Sequence, residues 1–273
     1  NALREYNRED LVGKPSEVVW TELLHEFTNS GATVEDNMAA DALSQAMDNL
    51  EIEDKDRERA EKYIISKGLF FHLQIKRKLL AWAKADSVKY SQVASYYRYD
   101  KRIRMVLYKY IAYLEEYYRA AILDAYFDNT DQSFWIPEIK SKLDKNEKLD
   151  SVLEGLGFSE LIKQIKRMPD KIKQKCDFVG RKRLRDNVFA LKELRNAVMH
   201  NKFLLMYRGF AMCYLCNGKQ GASLRDNILN LISFLPEDVG KKCKQDIDKC
   251  AEDKNTEQDT EWDLPEQAIV LLE

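Results

Sequence analysis

Arg195 and His200 are the residues of this sequence best suited to chemistry. They lie in the run Leu191-Lys-Glu-Leu-Arg195-Asn196-Ala-Val-Met-His200-Asn201. An imidazole gives and takes a proton near neutral pH, as general acid–base catalysis requires. A guanidinium grips a phosphate through two parallel N–H bonds and offsets the charge that builds up in a phosphoryl transition state. Asn196 stands where it can orient either the imidazole or the phosphate. Together the three suit the cleavage of RNA, whose own 2′-hydroxyl can be the nucleophile. That reaction asks for no metal and no cofactor.

Five residues along a helix turn through about 140° and rise about 7.5 Å. One copy of the helix therefore cannot aim Arg195 and His200 at one point, whereas Asn196 and His200, four apart, share a face. A second copy packed across a two-fold axis brings two arginines and two histidines to one cleft. The bare spacing is common by chance, and a histidine near a helix end is usually ordinary. The setting is less ordinary. The chain has 3 His, and this one follows an Arg-Asn pair inside a basic stretch. From Glu160 to Leu205, 13 Lys and Arg stand against 5 Asp and Glu, a local excess of +8. Arg181, Lys182, Arg183 and Arg185 precede the pair and Lys202 follows it. These five are the candidate contacts to an RNA backbone, with a solvated helix start as the plainer account of the run.

Other reactive side chains point to structure instead. The cysteines are Cys176, Cys213, Cys216, Cys243 and Cys250. Cys213 and Cys216 form a Cys-x-x-Cys, but Cys243 and Cys250 are too loosely spaced for a usual zinc site, so buried thiols on helices are expected. An odd number of cysteines, with no signal-like apolar stretch at the start, fits a reducing cytoplasm. His25 and His72 sit among apolar neighbours and read as structural. The tyrosines between Tyr96 and Tyr126 recur at helical spacing and read as core.

The elements that must position these residues are helices. Only 10 Gly and 5 Pro interrupt 273 residues. A helix is expected over residues 16–27, and Thr33 with Asp36 can cap another that carries Met38, Leu43 and Met47. Residues 51–62 are dense in charge, and Tyr63–Ala83 is apolar at helical spacing. The most regular segment, Tyr96–Phe127, predicts one long amphipathic helix. Its pairs Asp100–Arg104 and Glu115–Arg119 run acid to base at i,i+4 and are expected to serve as scaffold. Residues 128–137 read as a loop, and residues 151–175 as helix broken near Pro169. Val188, Leu191, Leu194 and Val198 give the motif helix its apolar stripe, and Leu224–Leu235 gives one more helix, ended by Pro236. No alternating strand is convincing; a short hairpin at Asn217-Gly218 is conceivable.

Two blocks of this sequence resemble a known family. Arg195-Asn-Ala-Val-Met-His200 is similar to the Arg-x4–6-His motif of HEPN domains, including the common Asn after the Arg. Upstream, Tyr99-Asp100-Lys-Arg-Ile-Arg104, followed by Glu115-Glu116-Tyr-Tyr-Arg119, resembles the aromatic-Asp-x-x-x-Arg and Glu-x-x-x-Arg helix of Abi-like (abortive infection) proteins. The order and separation of the blocks fit that family over about residues 90–240. The resemblance implies a helical bundle, a symmetric homodimer and RNA cleavage with Arg195 and His200 as the essential pair. Abi-like proteins often carry a second histidine after the motif histidine, and here that position is Asn201.

Composition sets the outer limits. Apolar residues make up 45% and charged residues 33%, with mean hydropathy -0.53. No run approaches the ~20 apolar residues of a membrane span. The net charge of -2 does not by itself point to nucleic acid; its uneven spread does. After Ala251 acids dominate, and Lys254 is the single basic residue. The expectation is an all-α protein, a HEPN-type helical bundle with additional N-terminal helices. It divides into an N-terminal helical region (1–85), a HEPN/Abi-like domain (86–245) and an acidic C-terminal tail (246–273). The expected function is metal-independent endoribonuclease activity in phage defence or as a toxin, by a homodimer that an inhibitory partner protein can restrain. A module that binds RNA or a partner without cutting fits the same residues. So does an interaction protein in which Arg195 and His200 are accidental, and a monomer with Arg195 buried in an ion pair would favour that last reading.

Overall fold

The computed structural model describes residues 43–128, 133–180, 184–206, 223–252, 261–270 and 272, and it is 74% helical. The chain is all-α, as its shortage of glycine and proline and its 3.6-residue periodicity dictate. The expected helices before residue 43, His25, Arg181 to Arg183, the Cys213–Cys216 pair and the Asn217 hairpin lie outside the described residues.

Two compact units divide between Val93 and Ala94. In the first, a helical stretch at 43–47 leads to β1 (Leu50–Glu51), α1 (Asp54–Lys67), α2 (Leu69–Ala83) and β2 (Val88–Lys89). The strands pair in parallel, Leu50 with Val88 and Glu51 with Lys89. This pairing corrects a sequence reading that found no strand, because two residues are too few to show alternation. Gly68, at φ 101°, separates α1 from α2 where the periodicity runs on without a break. Its N–H donates to the Ile64 carbonyl at 3.0 Å, which ends α1. His72 is buried, with Nδ1 3.0 Å from the Gly68 carbonyl. The buried Lys76 ammonium donates to the carbonyls of Gln45, Ala46 and Asp48. A cation thus satisfies carbonyls that the end of the 43–47 stretch leaves open.

The division falls inside α3 (Tyr90–Asp128), the long helix that the sequence predicts over Tyr96–Phe127. From Ala94 onward α3 is the spine of the second unit. Ile103, Leu107, Ile111, Leu114, Tyr118 and Ile122 form its wholly buried stripe. Around it stand α4 (Pro137–Leu143), α5 (Leu149–Glu154), α6 (Phe158–Arg167), α7 (Asp170–Lys175), α8 (Leu184–Met199), α9 (Leu224–Ile232) and α10 (Glu237–Asp248). The prolines act as punctuation: Pro169 is the N-cap of α7 and Pro236 the N-cap of α10. Ser223 and Asp226 close a capping box that starts α9. The second unit continues to the chain end. Trp262 and Leu272 join its core, Val270 donates its N–H to the Tyr99 hydroxyl at 2.9 Å, and the Arg102 guanidinium lies 4.3 Å from the Trp262 ring centre. No helix among the described residues is long and apolar enough to cross a membrane.

Asp246 ties α10 to the spine. It accepts from the Tyr110 hydroxyl at 2.7 Å, from Lys109 Nζ at 3.1 Å and from Lys242 Nζ at 3.1 Å. Burial alone would raise its carboxyl, but the Tyr110, Lys242 and Lys109 donors outweigh burial and hold it at about 2, below the ordinary 3.8. Between those values the unfolded chain binds the extra proton, so the stability Asp246 contributes is full above about pH 4 and is lost as pH falls toward 2. The gap in unfolding free energy between wild type and Asp246→Asn is therefore expected to shrink on acidification from pH 5 to 3. A gap that stays constant in denaturant titrations would contradict this account.

Candidate functional site

The motif helix α8 packs by the stripe the sequence marks: Val188, Leu191, Leu194, Ala197 and Val198 are buried. That leaves Arg195 and Asn196 half-buried and His200 exposed at the helix end. The exit is a Schellman turn. Asn201 N–H donates to the Val198 carbonyl at 3.1 Å and Lys202 N–H to the Ala197 carbonyl at 2.9 Å. Asn201 takes the left-handed backbone, φ 52°, which asparagine tolerates better than most residues. Asn201 therefore has a backbone role at the end of the motif helix. His200 N–H still donates to the Asn196 carbonyl at 3.0 Å, so His200 keeps helical register and shares a face with Asn196.

Asp100 anchors the chain just beyond this turn. Wholly buried on α3, it accepts through Oδ1 from the N–H groups of Leu204 (2.6 Å) and Leu205 (2.9 Å). Through Oδ2 it accepts from Arg104 Nε at 2.8 Å, and Arg104 Nη1 donates to the Asn201 carbonyl at 3.0 Å. Phe203, between these anchors, stacks on Tyr96 with ring centres 6.1 Å apart. The spine thus clamps both sides of the turn after His200. Burial pushes the Asp100 carboxyl up to about 6, against the pull of the Leu205 and Leu204 amides and of Arg104.

Glu115, on the same helix and 12% exposed, holds Arg195. Its Oε1 accepts from Arg195 Nε at 3.0 Å, while Oε2 lies 3.5 Å from Arg119 Nη2. Arg119 in turn donates Nε to the Leu153 carbonyl at 3.2 Å, at the end of α5. The pairs Asp100–Arg104 and Glu115–Arg119 form as their spacing predicts. The third partner, Arg195, is 80 residues from Glu115 and no local pattern announces it. Arg195 is 26% exposed, and among the described residues its two Nη groups hold no hydrogen bond. It is therefore a guanidinium anchored at its inner nitrogen with its outer fork open.

Of the expected backbone contacts, Arg185 is exposed in the first turn of α8 and Lys202 is exposed beyond the turn. Arg185 borders a groove of ≈ 530 Å³ between α6 and α8, which Lys163, Lys166, Lys192 and Phe189 also line. The sequence reading missed those four, although Phe189 and Lys192 follow Arg185 at i+4 and i+7. Cys176, Cys243 and Cys250 are buried free thiols, and burial pushes Cys176 and Cys243 up to about 12. Among the described residues no three or more His, Cys, Asp or Glu gather where they could hold a metal ion. Comparison with protein-family models, curated proteins and solved structures finds no match to the chain.

Removing one partner of a buried, hydrogen-bonded ion pair typically costs about 3–5 kcal/mol. Asp100→Ala is expected to lose stability in that range, because it strands two amides and a guanidinium together. Chemical denaturation measures it, and a variant as stable as wild type would show that the clamp does not hold the turn.

Proposed function

We propose that the chain is a metal-independent endoribonuclease of HEPN type, in which His200 moves the proton and Arg195 holds the phosphate. The observation that carries the reading is the state of Arg195: Glu115 takes its Nε and leaves the two-pronged end open. A phosphate needs that fork, and pre-positioning it lowers the cost of ordering a long side chain at the moment of reaction. His200 is exposed at the end of the same helix, behind a turn held from the spine. The 2′-hydroxyl attacks the adjacent phosphorus, a base takes its proton, an acid protonates the leaving 5′-oxygen, and Arg195 offsets the added charge. Since Arg195 and His200 diverge by about 140° on one helix, the working cleft takes one residue from each of two copies, and the active form is a homodimer. Asn196, on the histidine's side of the helix, orients the imidazole or the phosphate. The biological role that fits is abortive infection, phage defence or toxicity by an all-α, Abi-like protein in the cytoplasm, restrained by an inhibitory partner until triggered.

The same ion pair also favours a second reading. An arginine bonded to Glu115 is what a purely structural role would require, in an interaction protein where Arg195 and His200 carry no chemistry.

Incubation of the purified chain with RNA in the presence of EDTA separates the two. The nuclease reading expects products ending in 2′,3′-cyclic phosphate and 5′-hydroxyl, with DNA untouched. His200→Ala is expected to slow cleavage by about 10²–10⁴-fold with little change in melting temperature. Arg195→Lys, which keeps the Glu115 charge pair and loses the fork, is expected to fail as well. Full activity in Arg195→Lys, or Mg²⁺-dependent cleavage leaving 5′-phosphates, would overturn the mechanism.

A further inference from the structure

The spine helix α3 carries apolar side chains on the face that an amphipathic helix ordinarily gives to charged and polar residues. Met105 leaves 66% of its surface exposed and Tyr108 55%. These are the highest values for large apolar residues among the described residues of the second unit. Lys101, Ala112 and Glu116 are exposed on the same helix, and Lys101 and Glu116 make no ion pair among the described residues. Steps of four, three, four and four residues keep Lys101, Met105, Tyr108, Ala112 and Glu116 within about 80° of the helix circumference, over a rise of about 22 Å. Arg104 and Glu115 border this strip on one side, about 20–40° beyond Tyr108. They are the residues bonded to the Asn201 carbonyl and to Arg195 Nε, so the strip runs beside the candidate site.

The strip is complementary to itself. Turned end over end about a two-fold axis between positions 108 and 109, it sets Lys101 opposite the partner's Glu116 and Met105 opposite the partner's Ala112. The two Tyr108 rings meet near the axis. A cation faces an anion and a long side chain faces a short one, each twice, as an isologous contact requires. A slip of one turn destroys this match, because it puts either Met105 against the partner's Glu116 or Lys101 against the partner's Ala112. Tyrosine and methionine are also among the residues enriched in protein interfaces.

We infer that this strip is a homodimer seam, in which α3 packs antiparallel on α3 of a second copy with Lys101 paired to the partner's Glu116 and Met105 seated on the partner's Ala112. The inference rests on the nuclease reading for the need of a second copy, and it adds which face that copy meets and in what register. A two-fold axis across both helices keeps their Arg104–Glu115 flanks on one side of the pair, running in opposite directions. Glu115 of one copy then lies within about 3 Å, measured along the helix, of the level of the partner's Arg104. Arg195 of one copy is thereby brought to the partner's turn after His200, and the same happens at the symmetric site. That is the arrangement, one residue from each copy, that the divergence of Arg195 and His200 on α8 calls for.

The test is the assembly of the full chain, read by sedimentation equilibrium at micromolar concentration, with RNA cleavage in EDTA measured on the same samples. Wild type is expected to be a dimer. Lys101→Glu alone, or Glu116→Lys alone, sets like charges face to face twice per dimer and is expected to raise the dimer dissociation constant at least roughly tenfold, with helix content unchanged. Lys101→Glu combined with Glu116→Lys restores opposite charges and is expected to recover the dimer, which a mere folding defect would not allow. Ala112→Trp is expected to dissociate it, because the added bulk blocks the close approach of packed helices. Cleavage is expected to fall and return with the dimer. A chain that stays monomeric would overturn the seam and leave the strip to a different protein. A dimer indifferent to both single charge changes and to Ala112→Trp would also overturn it, by placing the two-fold axis elsewhere, and RNA cleavage by that dimer would leave the nuclease reading standing. Recovery by the charge swap without any RNA cleavage would keep the seam and end the nuclease reading.

Discussion

A single buried carboxylate, that of Asp100, sets the geometry on which the candidate site depends. Asp100 has no access to water and three donors converge on it: the amides of Leu204 and Leu205 and the Arg104 guanidinium. A charge so placed is costly unless its partners are fixed, and here fixing them has a geometric result. Two of the donors belong to the backbone just beyond the motif helix, and the third also reaches the Asn201 carbonyl. The position of His200 is thereby referred to the core of α3 rather than left to a fraying helix end. The left-handed Asn201 completes the arrangement, because the chain must reverse within one residue to bring Leu204 back to Asp100.

Glu115 does for the arginine what Asp100 does for the turn. It sits about four turns further along the spine, and it binds Arg195 through the inner nitrogen while sharing its second oxygen with Arg119. Because Arg119 is itself held by the Leu153 carbonyl, the carboxylate cannot swing out to follow Arg195 into solvent. The long helix therefore works as a ruler. Two acidic positions on it hold Arg195 and the turn beyond His200, and the buried stripe of Ile103, Leu107, Ile111 and Leu114 keeps that spacing rigid.

The charge distribution obeys a similar logic at larger scale. With net charge -2, the chain does not attract a polyanion by its overall field. What matters is concentration. Three cations without acidic partners among the described residues meet at the α6–α8 groove. Arg98 and Arg102, by contrast, are occupied by the Glu261 and Glu252 carbonyls and lie over the Trp262 ring. Lys109 and Lys242 are engaged by Asp246, and Lys175 by Asp124. In the groove, by contrast, Lys166 faces the like charges of Lys192 and Arg185.

The amino-acid sequence by itself determined the helical class, the long spine, the buried faces of the spine and of α8, and the two i,i+4 pairs on the spine. Each of these arises from short-range periodicity, which a single chain displays directly. It also marked Arg195, Asn196 and His200 as candidates by residue type. It ran through the break at Gly68, missed the two-residue strand pair and passed over α10, because a single glycine, two strand residues and a charge-rich helix leave little periodic signal. Only the tertiary structure decided that Glu115 meets Arg195, that Asp100 anchors the turn after His200, and that Lys166 from α6 faces Arg185 and Lys192 from α8. Those contacts join residues 19 to 105 positions apart, and long-range contacts are fixed by how whole faces pack, which local pattern does not encode.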